Sequence, residues 1–272
     1  MAENNQTPAT PKKESNLFAY LVIPVSLLVC TLIYVFVFGD ANNFINNDIH
    51  NNPKEGNYLG IIYKGGPIVP VLMTLFLIVL VYTIERMLTI SRAKGNGNVD
   101  DFLKTVKASI ERNDINSALA ACDKQRGTVA NVVKATVLKY QQMEKEEKMT
   151  KDQKVIAIQK EVEESTSLEL PMLEKNLVFL ATIASVATLV GLLGTVIGMI
   201  RSFAALSAGG GTDSMALSQG ISEALINTAF GILTGALAVI SYNYYTNKID
   251  KLTYSLDEVG FSIVQTFAAS HK

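Results

Sequence analysis

Histidine and cysteine are scarce in this chain, with two of each, and four long stretches carry no charge at all. The two histidines, His50 and His271, stand far apart in sequence. The two cysteines lie in unlike surroundings, Cys30 in an apolar run and Cys122 in a charged one. Neither pair supports a disulfide frame or a metal site. No G-x-x-x-x-G-K-[ST] run occurs, and Gly209-Gly210-Gly211-Thr212-Asp213 lacks the lysine that would hold a phosphate. H-E-x-x-H, C-x-x-C and G-x-S-x-G are also missing. The sequence therefore does not describe a soluble enzyme, and it calls for no cofactor. A net charge of −1 gives nucleic acid no evident hold. With no nucleotide site to drive it, any work done within a membrane has an ion gradient as its remaining source.

What is present is apolar length. The chain is 49% hydrophobic, and its apolar residues are clustered instead of spread along amphipathic faces. Uncharged runs cover residues 17–38, 65–84, 176–200 and 224–247. A spanning helix needs about 20 apolar residues, so the expected fold is an all-α, polytopic membrane protein with four spans. The first run is long for a cleaved signal peptide, and Gly39-Asp40-Ala41 is a weak cleavage site, so it reads as a retained anchor. Pro24 is tolerable there, because neighbouring helices can satisfy the carbonyl it frees.

The expected order follows from these runs. Residues 1–16 form a disordered polar tail, 17–38 an extra N-terminal transmembrane helix and 39–64 an Asn-rich loop. Residues 65–90 form the next transmembrane helix, opened by the breaker cluster Gly65-Gly66-Pro67. A polar helical domain occupies 91–175. Transmembrane helices at 176–206 and 215–246 are joined by a link at 207–214, and a tail fills 247–272. Lys12, Lys13, Arg86, Arg92, Lys94, Lys175, Lys248 and Lys251 flank the spans on one common side. That bias places both termini and the 91–175 region in the cytoplasm, and the 39–64 loop and the link outside it.

The polar region is balanced in charge, with 16 basic and 14 acidic residues over 86–175. Phe102, Val106 and Ile110 stripe one amphipathic helix, with Asp100 as its expected cap. Asp114 is placed to cap a second, carrying Ile115, Leu119 and Cys122. Val129, Val132, Val133, Val137 and Tyr140 stripe a third. Thr150 and Gln153 have capping-box spacing for a fourth, which runs through Val155, Ile158 and Val162 until Pro171 bends it. Most of the charge is expected on solvated faces, with a rotor-contact surface as the alternative.

Residues 176–247 hold the unusual chemistry. Ala181, Ala184, Thr188, Gly191, Thr195 and Gly198 alternate spacings of three and four, so they share one helix face. Close helix packing explains the glycines and alanines. The hydroxyls of Thr188 and Thr195 either turn back onto the carbonyl four residues earlier or face water in a pore. Glu223 is the one acid in its segment and is followed by the uncharged run 224–247. If its helix starts near Asp213, the carboxyl lies about 15 Å deep at 1.5 Å per residue. It can snorkel, pair with Arg201, or serve as a proton path, the default for an intramembrane acid. Asn227 shares its face one turn on, and Thr228 is close by.

These residues resemble a known signature. The runs GLLGTVIGM at 191–199 and ISEALINTAFG at 221–231, continued by AVISYN at 238–243, are similar to the ExbB/TolQ/MotA proton-channel family, nearest to its ExbB branch. The order of one span, a large polar region and two linked spans is also alike over residues 67–247. The resemblance implies a bacterial inner-membrane protein that assembles as a pentameric ring around a central pore, with long helices extending into the cytoplasm. It implies an ExbD-like single-span dimer in that pore, a TonB-like protein driven by proton flow, and surrounding lipid. The family's pore-lining threonine falls on Thr195, and its intramembrane glutamate and following threonine fall on Glu223 and Thr228. Thr188 and Asn227 are further pore-facing candidates. Leu237 stands where the family often has proline, Asn227 where a small residue is usual, and the first span is an addition. A TolQ-like, MotA-like or gliding-motor stator, or a non-conducting scaffold, are the alternatives. A secondary carrier would show internal repeats or broken helices, and none is seen.

Overall fold

A computed structural model describes residues 17–208 and 214–270. The expectations for the 1–16 tail, for most of the glycine-rich link and for His271 fall outside the described residues. Regular structure among the described residues is helical, apart from one bridge between Phe44 and Pro53. The helices are α1 (Leu17–Leu32), α2 (Tyr58–Tyr63), α3 (Val69–Lys94), α4 (Val99–Glu111), α5 (Ile115–Gln125), α6 (Gly127–Lys145), α7 (Lys151–Glu174), α8 (Leu177–Ala208) and α9 (Ser214–Ser270). Four stretches are long and apolar enough to cross a membrane. The protein is thus an all-α, polytopic membrane protein. Two compact units can be described. One comprises the chain up to Ile78 with Val190–Phe230, the other Val79–Leu189 with the chain from Gly231 onward.

In the first unit, α1 continues into a π-helical turn, Ile33–Phe38. Ser26 and Cys30 are buried one turn apart, while Leu21, Val25, Leu28 and Phe36 are exposed. A helix that is apolar all round and buried along one edge suits lipid on its other faces. Residues 39–64 are more built than an Asn-rich loop suggests. Buried Asn43 donates from Nδ2 to the carbonyls of Val37 (2.8 Å) and Phe38 (3.1 Å), which lack partners at the helix end. Its Oδ1 accepts from Asn57, whose own side chain caps α2 at Gly60 N. The second apolar helix starts at Val69, beyond the Gly65-Gly66-Pro67 cluster, because Gly66 holds a positive φ of 80° that ends the preceding turn.

In the second unit, α4 to α7 form around the expected stripes. Phe102, Val106, Ile110, Val129, Val132, Val133, Val137 and Tyr140 are all buried. Asp114 caps α5 and Thr150 with Gln153 forms the capping box of α7. The cap of α4 is a correction: Asn98, not Asp100, accepts from the backbone, at Asp100 N. Asp100 instead sits in the first turn, where a carboxylate suits the positive end of the helix. Helix α7 also continues through Pro171 to Glu174. Its closing carbonyls are taken by buried Arg86, whose Nη1 donates to Leu173 O at 2.9 Å. The same guanidinium pairs with Glu85, which also accepts from Thr89 and Asn176. The far part of α9 packs back on the domain, with Phe267 edge-on to Tyr140 at 5.0 Å and Gly260 against Val162.

Removing one partner of this largely buried pair leaves the other charge uncompensated. Arg86→Leu is expected to cost about 3 kcal/mol, read as a lower unfolding temperature in detergent, and Glu85→Leu/Arg86→Leu should recover part of that loss. In the polar region, burial pushes the Cys122 thiol up to about 11. The thiol therefore stays neutral through the ordinary thiol range and toward pH 11, and maleimide labelling at pH 8 to 9 should stay slow until the protein is denatured.

Candidate functional site

Helices α8 and α9 form a tight hairpin in the first unit. A Cβ on Gly198 would lie 2.7 Å from Gly220 O, and one on Gly194 would lie 2.5 Å from Asn227 Cβ. The backbones can approach this closely only because those positions lack side chains. Ser202, fully buried, donates to Leu217 O at 3.1 Å and fastens the hairpin farther along. The small-residue face read from spacing is therefore, at Gly198, a packing face, and Gly194 adds a second close approach beside it.

Across this seam the hydroxyls of Thr195 and Thr228 meet each other. Each also reaches the carbonyl four residues back, Gly191 O at 3.3 Å and Ala224 O at 3.1 Å. Of the two readings of these threonines, back-bonding is the one formed, and one of the two hydroxyls can turn its proton to the other across the seam. Two hydroxyls in contact can pass a proton between acceptors, provided a donor arrives at one end.

Glu223 stands five residues before Thr228 on α9, and it is buried at 6% exposure. Arg201 Nη1 donates to its Oε1 at 2.6 Å. The pairing with Arg201, one of the three possibilities for this acid, is formed. The arginine side chain is itself 52% exposed, so one side of the ion pair is open and the other closed. The closed side is backbone: any Cβ on Gly66 would overlap the Glu223 carboxyl. Asn227 is fully buried one turn on, and its Nδ2 donates to Gly65 O at 2.9 Å. Its Oδ1 is buried with no partner among the described residues.

Thr195, Glu223, Asn227 and Thr228 thus come together in the first unit as two neighbouring groups, a hydroxyl pair and an acid seat. Thr188 belongs to the second unit, where it back-bonds to Ala184 O at 3.2 Å and abuts Gly235. Reasoning from sequence missed Tyr34 and assigned Gly66 only a helix-breaking role. Tyr34 Oη lies 2.9 Å from Tyr63 O and 3.0 Å from Gly66 O. Nothing in local sequence marks Tyr34. The Gly-Gly pair was a visible signal for close backbone approach.

Fold and site define a helical membrane protein with a shielded acid in a close-packed hairpin. Comparison with known proteins names the class more closely. Residues 129–258 match the MotA/TolQ/ExbB proton channel family. It is 38% identical over 104 residues to the Tol-Pal system protein TolQ of Haemophilus influenzae, covering 34% of this chain and 46% of that one. It is 34% identical over 86 residues to the biopolymer transport protein ExbB of Salmonella typhimurium, covering 32% and 35%. A putative biopolymer transport protein ExbB-like 3 of Synechocystis is 37% identical over 86 residues, covering 31% and 41%. The matched stretch spans under half the length of these curated relatives. Thr188, Thr195, Arg201, Glu223, Asn227 and Thr228 fall within the family match, and Tyr34 and Gly66 lie before it.

The seam itself makes a prediction. Gly220→Ala would drive a methyl into Ser202 and toward Gly198 O. Overpacking of this kind costs about 1–3 kcal/mol and should appear as a lower melting temperature of the detergent-solubilised protein.

Proposed function

We propose that this protein is the channel-forming subunit of a proton-motive-force-driven motor in the bacterial inner membrane, of the ExbB type. In this reading it forms a ring, a pentamer, around a single-span ExbD-like dimer, and the complex drives a TonB-like protein that energises outer-membrane transport. Both termini and the polar region lie in the cytoplasm. The observation that carries the proposal is the pairing of a buried acid, Glu223, with the Thr195–Thr228 hydroxyl contact inside the stretch that matches the proton channel family. Relatives named both ExbB and TolQ support the family function without choosing a branch, so TolQ-like, MotA-like or gliding-motor output is the nearest alternative.

Thr195 and Thr228 supply hydroxyls that accept and donate beside a partner's acid. Glu223 assists proton entry or holds the partner when Arg201 releases it. A conducting part needs polar groups that are shielded from lipid, and the buried acid and the hydroxyl pair support that reading.

A scaffold reading has an observation of its own, since Glu223 already has a counter-charge in Arg201. The two separate cleanly. Glu223→Ala and Thr195→Ala are expected to abolish iron–siderophore or vitamin uptake, by about 100-fold or more for loss of an essential proton-transfer group, with the protein still at its normal level in the membrane. Normal uptake alongside a less stable complex would instead favour the scaffold.

A further inference from the structure

The seat of Glu223 is completed by residues outside the family match. Gly65 and Gly66 form a turn ahead of α3, and its position is set from two sides. From the last helix, Asn227 Nδ2 holds Gly65 O at 2.9 Å. From the N-terminal helix, the Tyr34 hydroxyl stands between Tyr63 O and Gly66 O, at 2.9 and 3.0 Å. The Tyr34 ring stacks on Tyr63 with centroids 4.8 Å apart, which fixes the direction of the phenol. Gly66 then presses its backbone on the Glu223 carboxyl, at a φ of 80° and in a space where no Cβ fits.

We propose that Tyr34 is a positioning residue for Glu223: its hydroxyl pins the Gly65–Gly66 turn as a backbone lid, so that the carboxylate can change partners only on the side of Arg201. This assigns the additional N-terminal helix a role in the proton path, and it rests on the reading of Glu223 given under Proposed function. The physical logic is simple. Without the hydroxyl, the turn loses the one donor that Tyr63 O and Gly66 O share, it is held from the Asn227 side alone, and water can enter next to the carboxylate. A carboxylate hydrated from the lid side no longer depends on Arg201 for its exchange.

The test uses the full-length protein at its native level in cells, with its natural neighbours. Tyr34→Phe keeps the stacked ring and removes only the hydroxyl. Initial rates of ferric-siderophore uptake should fall roughly tenfold, the size expected for loss of one shared hydrogen-bond donor. The membrane level should not change. Nor should Cys30, 3% exposed and one turn before Tyr34, become open to a membrane-permeant maleimide. Gly66→Ala disturbs the lid from its other face and should give a similar drop, and the double variant should fall little further, because both act through one contact. Loss of membrane level together with Cys30 labelling in Tyr34→Phe would mean that the hydroxyl only helps α1 to pack, which overturns the proposal. Wild-type uptake in Tyr34→Phe beside an inactive Glu223→Ala would overturn the lid and leave the channel reading standing. Retained uptake in Glu223→Ala would remove both.

Discussion

A carboxylate inside an apolar hairpin has no water to solvate it, so protein atoms must do so, and most of the first unit is arranged around that need. Arg201 brings the opposite charge to Glu223 at 2.6 Å. The other flank is not a side chain but the backbone of Gly66. Such a flank requires a left-handed glycine, a turn stiff enough to stay in place, and groups that hold the turn. Asn227 and Tyr34 are those groups. The departure of Asn227 from the small residue usual in the family then acquires a reason, because its amide is the donor that ties the last helix to Gly65.

The same constraint acts at two other helix ends among the described residues. Open carbonyls are costly without water, and each of these ends has been given a donor. Asn43 serves the end of the first helix, and Arg86 serves the end of α7. Arg86 is the more demanding case, because a buried guanidinium brings its own desolvation penalty. Glu85 offsets it, and Thr89 and Asn176 satisfy what remains of Glu85. In the second unit, therefore, the acid–base pair is accompanied by neutral donors, which is the arrangement that makes a buried pair tolerable.

For a proton-conducting part, pairing and conduction are compatible. An acid with a fixed closed side and a half-exposed arginine on its open side has one direction from which a new partner can approach. The hydroxyl pair of Thr195 and Thr228 lies on a different face of α9 from Glu223, since the five-residue offset from Glu223 to Thr228 is not a whole number of turns. The acid and the hydroxyls are thus separate stations, and a proton moving between them needs either water or a partner's side chain to bridge the gap.

Much of the fold was legible in the chain itself. The four uncharged runs, the valine stripe of α6, the cap at Asp114 and the capping box at Thr150 depend on hydropathy and on spacing within a few residues, and local physics decides both. Asn98 displaced Asp100 as the α4 cap, because a cap depends on backbone angles that spacing alone does not show. The sequence could also list the partners open to Glu223, Arg201 among them, but it could not choose, because each was chemically acceptable. Only the tertiary structure made that choice, and only it brought Tyr34 and Gly66 to the acid. The Asn227–Gly65 bond spans 162 residues. Contacts of that reach are set by how helices pack and leave no periodic trace in the sequence.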